Sequence, residues 1–134
     1  MVGKALTISV MLGIAAAATA LAQEAPPKQA FKAVHIVTLT DAQAATVQAA
    51  LADLNAAVAK AGHADIRYRL YKVYGQQSGP YNYLWESVWP SGDVYQKVHD
   101  NPEWQAALKR HPELETLMKG ELYNRFVEVM PMKR

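Results

Sequence analysis

Two periods of hydrophobic residues alternate along the chain. From Phe31 to Leu39 the period is two: Phe31, Ala33, His35, Val37 and Leu39 face one way, Lys32, Val34, Ile36 and Thr38 the other. This predicts a strand with apolar residues on both faces. Thr40 followed by Gln43 matches a capping box. Val47, Leu51, Leu54 and Val58 then recur at helical spacing until Gly62, where a helix stop is expected. Alternation returns over Ile66 to Tyr74, is broken by Gly75 to Pro80, and resumes over Tyr81 to Trp89 with Tyr81, Tyr83, Trp85, Ser87 and Trp89 on one side. The two runs predict a hairpin with a medium loop. A broken helical region follows. Val94 and Val98 share a face, Asn101-Pro102 opens a new turn carrying Trp104, Ala107 and Leu108, and His111-Pro112 breaks it before Leu114, Leu117 and Met118. Leu122 to Met130 closes the pattern as a strand.

The order β-α-β-β-α-β predicts an α+β fold of the ferredoxin-like kind: a four-stranded antiparallel sheet with both helices on one face. Strands one, three and four nevertheless carry large apolar residues on both faces. A single domain has nothing to cover the second one. The predicted solution is a homodimer, sheet against sheet.

Outside residues 31–130 the pattern changes character. Met1 to Lys4 is a short positive leader and Ala5 to Leu21 an apolar run ending in Ala20-Leu21-Ala22. That is the signature of a cleavable signal peptide over residues 1–22, cut between Ala22 and Gln23. The expected location is therefore periplasmic or secreted, with no membrane attachment after cleavage. Residues 23–30 are polar and Pro-containing, an expected flexible tether, and residues 131–134 are a tail. The chain has 134 residues, no Cys, and 14 Lys+Arg against 12 Asp+Glu. Without a basic block, nucleic acid is not an expected partner. Without Cys, the domain must hold together through its core alone.

Trp89-Pro90-Ser91, Val94-Tyr95, Val98 and the run Asn101 to Leu108 resemble the third strand and second helical region of the dimeric α/β-barrel superfamily. The antibiotic-biosynthesis-monooxygenase and NIPSNAP-like groups are examples. The resemblance implies the fold above and a small-molecule site between sheet and helices. It also implies where haem-degrading members would carry their second Trp and their haem-ligating His. Those positions are Val98 and Leu108 here, so haem is not expected.

The candidate chemistry follows from face and residue type. His35 and His99 are the candidate catalytic residues. Tyr68, Tyr83, Trp85, Trp89, Glu86 and Asn124 are the candidate ligand contacts. Each has an ordinary structural alternative: a satisfied buried imidazole for the histidines, core or interface packing for the aromatic stripe, and a cross-strand pair with Arg for Glu86. His63 and His111 are expected as solvated helix caps. No His pair has ligand spacing, so no metal is expected. The loop from Gly75 to Gly79 lacks the spacing of a phosphate loop, and no cofactor is expected. The preferred function is binding of a small apolar or aromatic ligand between sheet and helices, which needs a pocket of several hundred Å³ touching His35 and Trp85. The alternatives are a cofactor-independent monooxygenase or isomerase, and a structural dimer module with no ligand site.

Overall fold

The computed structural model describes residues 24–130, so the expected signal peptide and tail lie outside the described residues. Strand β1 (Phe31–Val37) runs into helix α1 (Asp41–Lys60). The capping box forms as expected. Thr40 Oγ1 accepts from Gln43 N–H at 3.1 Å, and the Gln43 side chain accepts from Thr40 N–H at 2.9 Å. Ala44, Val47, Ala50, Leu51, Leu54, Ala57 and Val58 form the buried stripe of α1. The helix ends with His63 N–H bonded to Val58 O and Gly62 N–H to Ala59 O, a Schellman pair.

The hairpin is shorter than the alternation suggests: β2 is only Arg69–Lys72 and β3 is Tyr83–Trp89. The cause is Asn82. Its side chain bonds both the N–H and the C=O of Leu39, at 2.9 and 2.8 Å, and its own N–H bonds Val37 O. That ties the start of β3 to the end of β1 and leaves Tyr74 and its loop outside the sheet. Tyr74 is fully exposed, so it does not join the aromatic stripe as the alternation suggests. A second asparagine fixes the approach to β2. Asn55 of α1 accepts from Tyr68 N–H at 2.6 Å and donates to Tyr68 O at 3.0 Å, which turns the Tyr68 ring into the core.

The second helical region is three helices, broken where the sequence predicts: α2 (Gly92–His99), α3 (Pro102–Lys109) and α4 (Pro112–Leu117). Ser91 and Asn101 cap the first two through their side chains. Strand β4 (Leu122–Val127) completes a sheet of order β2-β3-β1-β4, antiparallel throughout. None of the described helices is long and apolar enough to cross a membrane.

The register assigns the faces. Phe31, Ala33, His35 and Val37 stand beside Trp89, Ser87, Trp85 and Tyr83 of β3, and the helices cover this side. The opposite face carries Val34, Ile36, Leu84, Val88, Leu122, Phe126 and Tyr71, with Lys32 and Glu86 ion-paired at 3.1 Å in its middle. Val88 and Phe126 are each about half exposed on it, at 54% and 51%. This is the ferredoxin-like fold, with one face of its sheet open.

Candidate functional site

His35 lies at the middle of β1, flanked in register by Trp85 on β3 and Tyr123 on β4. Its ring stacks flat on the Trp85 indole at 3.6 Å and tilts against Tyr123 at 4.5 Å. Its Nδ1 sits 2.6 Å from Glu121 Oε2. Glu121 comes from the turn after α4, where Gly120 adopts φ +81°, a left-handed conformation that a side chain resists. The same turn brings Met118 over Trp85, whose Nε1–H points at the sulfur at 3.2 Å. One short turn therefore orients both the imidazole and the indole on which it rests.

The geometry assigns roles to the two ring nitrogens. Nδ1 is committed to Glu121. Nε2 has no partner among the described residues, yet none of their buried side-chain nitrogens or oxygens is left unpaired. Nε2 therefore reaches solvent, although the residue is only 8% exposed. Burial holds the His35 pKa below its ordinary value, and Glu121 pulls it partway back. The ring is a neutral imidazole near pH 7, with Nε2 left without a partner among the described residues and a carboxylate ready to balance a proton gained there.

Beside it runs a second aromatic group. His99 ends α2, its Nδ1 2.6 Å from Tyr95 O and its ring stacked on Tyr95 at 3.8 Å. Trp89 and Trp104 border it at 5.2 and 4.3 Å. Burial lowers its pKa to about 4, with the Arg125 charge pushing the same way. Trp104 Nε1–H donates to the Tyr68 hydroxyl at 3.1 Å, and burial raises the Tyr68 phenol above its ordinary range. Arg125 lies over the rings of Tyr95 and Tyr123, at 5.2 and 5.6 Å, and its Nε–H donates to the Tyr123 hydroxyl at 2.9 Å. Mainly through burial, the Tyr123 phenol is pushed up to about 12.

The expected site residues therefore separate into three places. His35, His99, Tyr68, Trp85 and Trp89 come together on the helix side, linked ring to ring. Tyr83 stands at the far end of that face, its hydroxyl 2.6 Å from Asp41, which also holds Lys72. Glu86 and Asn124 lie on the open face and do not join the group. Glu86 pairs with Lys32, not with an Arg as expected, although Arg69 is its register neighbour. His111 is no solvated cap. It bridges Asp53 and Glu113, at 2.9 and 3.3 Å, and makes no cap bond. Glu121, Tyr123, Arg125, Tyr95 and Met118 carry no local sign of belonging to the site. The pairing of β1 with β4 brings in Tyr123 and Arg125 and, across 86 residues of chain, sets Glu121 beside His35, while the packing of α2 on the sheet brings in Tyr95.

A shallow concavity of about 380 Å³ lies on the open face, lined by Tyr71, Lys72, Val73, Leu84 and Glu86, and it does not touch His35 or Trp85. On the helix side the rings are in contact.

No family model matches the chain, and no curated protein matches it. Solved structures do. The oxygenase SnoaB from Streptomyces nogalater, described as cofactor-independent and solved as a point mutant, is 16% identical with a TM-score of 0.52, covering 79% of this chain and 99% of its own. A dimeric ferredoxin-like protein of unknown function from Thermobifida fusca is 17% identical at TM-score 0.54, over 75% and 92%. The hydroxynitrile lyase of Passiflora edulis is 10% identical at TM-score 0.51, over 78% and 100%. The resemblance to dimeric α/β-barrel proteins thus holds at the level of the ferredoxin-like fold.

Proposed function

We propose that this protein takes up a small apolar or aromatic molecule on the helix side of its sheet and uses His35 as a cofactor-independent proton acceptor. The observation that carries the reading is the His35–Glu121 contact at 2.6 Å on a ring stacked against Trp85. A carboxylate on Nδ1 fixes the tautomer that leaves Nε2 basic, and it favours the imidazolium that forms when Nε2 takes a proton. Tyr123, half-buried beside His35, offers an apolar ring to a planar substrate. Proton abstraction needs no metal or redox group from the protein. Two proteins of similar fold are named for an oxygenase and a lyase reaction. Their likeness carries the fold alone, and the chemistry rests on the His35–Glu121 pair.

The test uses 2-tetralone, a planar ketone with acidic C–H bonds, in deuterated water. Base catalysis exchanges those hydrogens for deuterium, which NMR follows directly. His35→Gln is expected to slow the catalysed exchange by about 100-fold, the lower end of general-base contributions. Glu121→Gln is expected to reduce it less and to move the acid limb of the pH profile downward, because Glu121 holds the His35 pKa up. Exchange that is indifferent to both substitutions would leave the binder or the structural module as the better account.

We further propose that the protein acts as an exported homodimer. The apolar open face supports the sheet-to-sheet pairing, and the described dimer among the similar structures is compatible with it. The Ala20-Leu21-Ala22 pattern supports export. One measurement tests both. The native mass of the secreted or periplasmic protein should be twice that of a chain beginning at Gln23. A monomeric mass, or a chain retaining residues 1–22, would overturn the corresponding half.

A further inference from the structure

We propose that residues 24–30 form a strap that closes the mouth of the His35 site, latched by Arg125 and seated on Gly92. The inference rests on the reading of that site as one a small molecule must reach, and it accounts for why the rings there are closed on one another.

The segment has no strand or helix, yet it makes two specific contacts. Arg125 Nη1–H donates to the backbone carbonyl of Glu24 at 2.9 Å. The backbone of Pro26 and Pro27 then passes directly over Gly92 at the start of α2. A Cβ at position 92 would collide with the Pro27 carbonyl oxygen and stand 2.9 Å from that of Pro26. Gly92 is accordingly buried although it opens a helix of the outer layer. The two prolines fix φ, so ordering this stretch costs less chain entropy than it would for other residues.

The latch residue ties the strap to the site. Arg125 pairs in register with Ala33 of β1, and its guanidinium lies against Tyr123 and Tyr95. Tyr123 borders His35, and Tyr95 stacks on His99. The hydrogen bond that holds Glu24 is therefore made by the side chain that holds together the two rings flanking the two imidazoles. Residues 24–27 run from that latch on β4 to the seat on α2, across the gap between them. One hydrogen bond and one steric seat form a weak local unit, which opens without unfolding the sheet. Lifting it removes one of the contacts that hold Arg125 against Tyr95 and Tyr123.

The test reads imidazole accessibility and so does not require the substrate. Full-length chains carrying Gly92→Ala, or the pair Pro26→Gly and Pro27→Gly, are treated with diethyl pyrocarbonate near pH 7. Mass spectrometry of peptides then gives a rate for each histidine. The first variant pushes the strap off its seat, and the second loosens it without touching the helix. In both, His35 and His99 are expected to react about tenfold faster, as an easier local opening of about 1.4 kcal/mol would give, while His63 and His111 keep their wild-type rates. Unchanged rates at His35 and His99 overturn the strap, and so does a parallel rise at all four histidines. If Gly92→Ala fails to fold by near-ultraviolet circular dichroism, the proline pair decides. The outcome is separable from the proposed chemistry. A selective rise together with 2-tetralone exchange indifferent to His35 keeps the strap and removes the base, and the reverse result removes only the strap.

Discussion

Replacing Trp89 with Ala is expected to destabilise the folded chain by about 4 kcal/mol, in the range for removing a large buried aromatic. Trp89 has no solvent exposure. Its indole meets Tyr95 edge-on at 5.0 Å and Tyr68 at 6.1 Å, and His99 lies against it at 5.2 Å. These partners come from α2 and from the segment ahead of β2, so no single shift closes the void that the ring would leave. The indole N–H also donates to Ser87 Oγ at 2.8 Å, and Ser87 is itself buried. Alanine would leave that hydroxyl short of a partner inside the core, a further cost of about 1 kcal/mol. Trp89→Phe keeps most of the packing and should lose roughly half as much. Urea denaturation of both variants checks the order. If Trp89→Ala loses no more than Trp89→Phe, the ring is not the keystone of this cluster. Domains of this size have about 5–15 kcal/mol in total, so the alanine variant should be close to unfolding at 37 °C.

Stability is also expected to fall between about pH 6.5 and pH 4, before any carboxylate effect begins. His35 and His99 both have pKa values depressed in the folded state, His99 to about 4. The unfolded chain binds protons at these positions below its ordinary pKa of 6.5, while the folded chain refuses them. The folded state therefore loses ground as pH drops from 6.5, until His99 protonates in place near 4. From His99 alone the loss between pH 7 and pH 5 is on the order of 2 kcal/mol, with His35 adding in the same direction. Asp53 acts in a different window. Its carboxyl is held at about 2, chiefly by hydrogen bonds from Arg110 and His111, so its contribution is present above about pH 4 and disappears only below that. Denaturant midpoints of wild type and His99→Phe at pH 7 and 5 separate the terms. The variant should show a clearly flatter pH dependence, and an equal slope would mean that the buried neutral imidazole at position 99 is not the cause.

These two effects meet in one layer of the molecule, and part of that layer is legible in the sequence. Strand parity alone puts His35 on the face of Phe31 and Val37, and Trp85 on the face of Tyr83 and Trp89. The same parity puts Glu86 away from Trp85, so Glu86 and a ligand on the helix side are incompatible from the start. What parity cannot supply is which strand lies next to which. Glu121 becomes the partner of His35 only because β4 folds back beside β1. Its position just ahead of a strand gives no local sign of it. Arg125 is legible as a mid-strand charge, but its place over Tyr95 depends on where α2 crosses the sheet. The lead-in is the other instance. Its Pro-rich, polar composition predicts a tether, and composition has no term for the flat seat that a distant glycine, Gly92, provides.

The sequence by itself determined the element order, the capped and Schellman-terminated first helix, the breaks that divide the second helical region, and the two-sided strands. Each of these depends on neighbours within a few residues, where backbone sterics, capping hydrogen bonds and hydrophobic period act directly. The tertiary structure alone decided the His35–Glu121 pair, the closing of the aromatic rings, the shallow concavity on the open face, and the path of residues 24–30 over Gly92. These contacts join segments far apart in the chain, and their geometry follows from sheet register and packing, which local pattern does not encode.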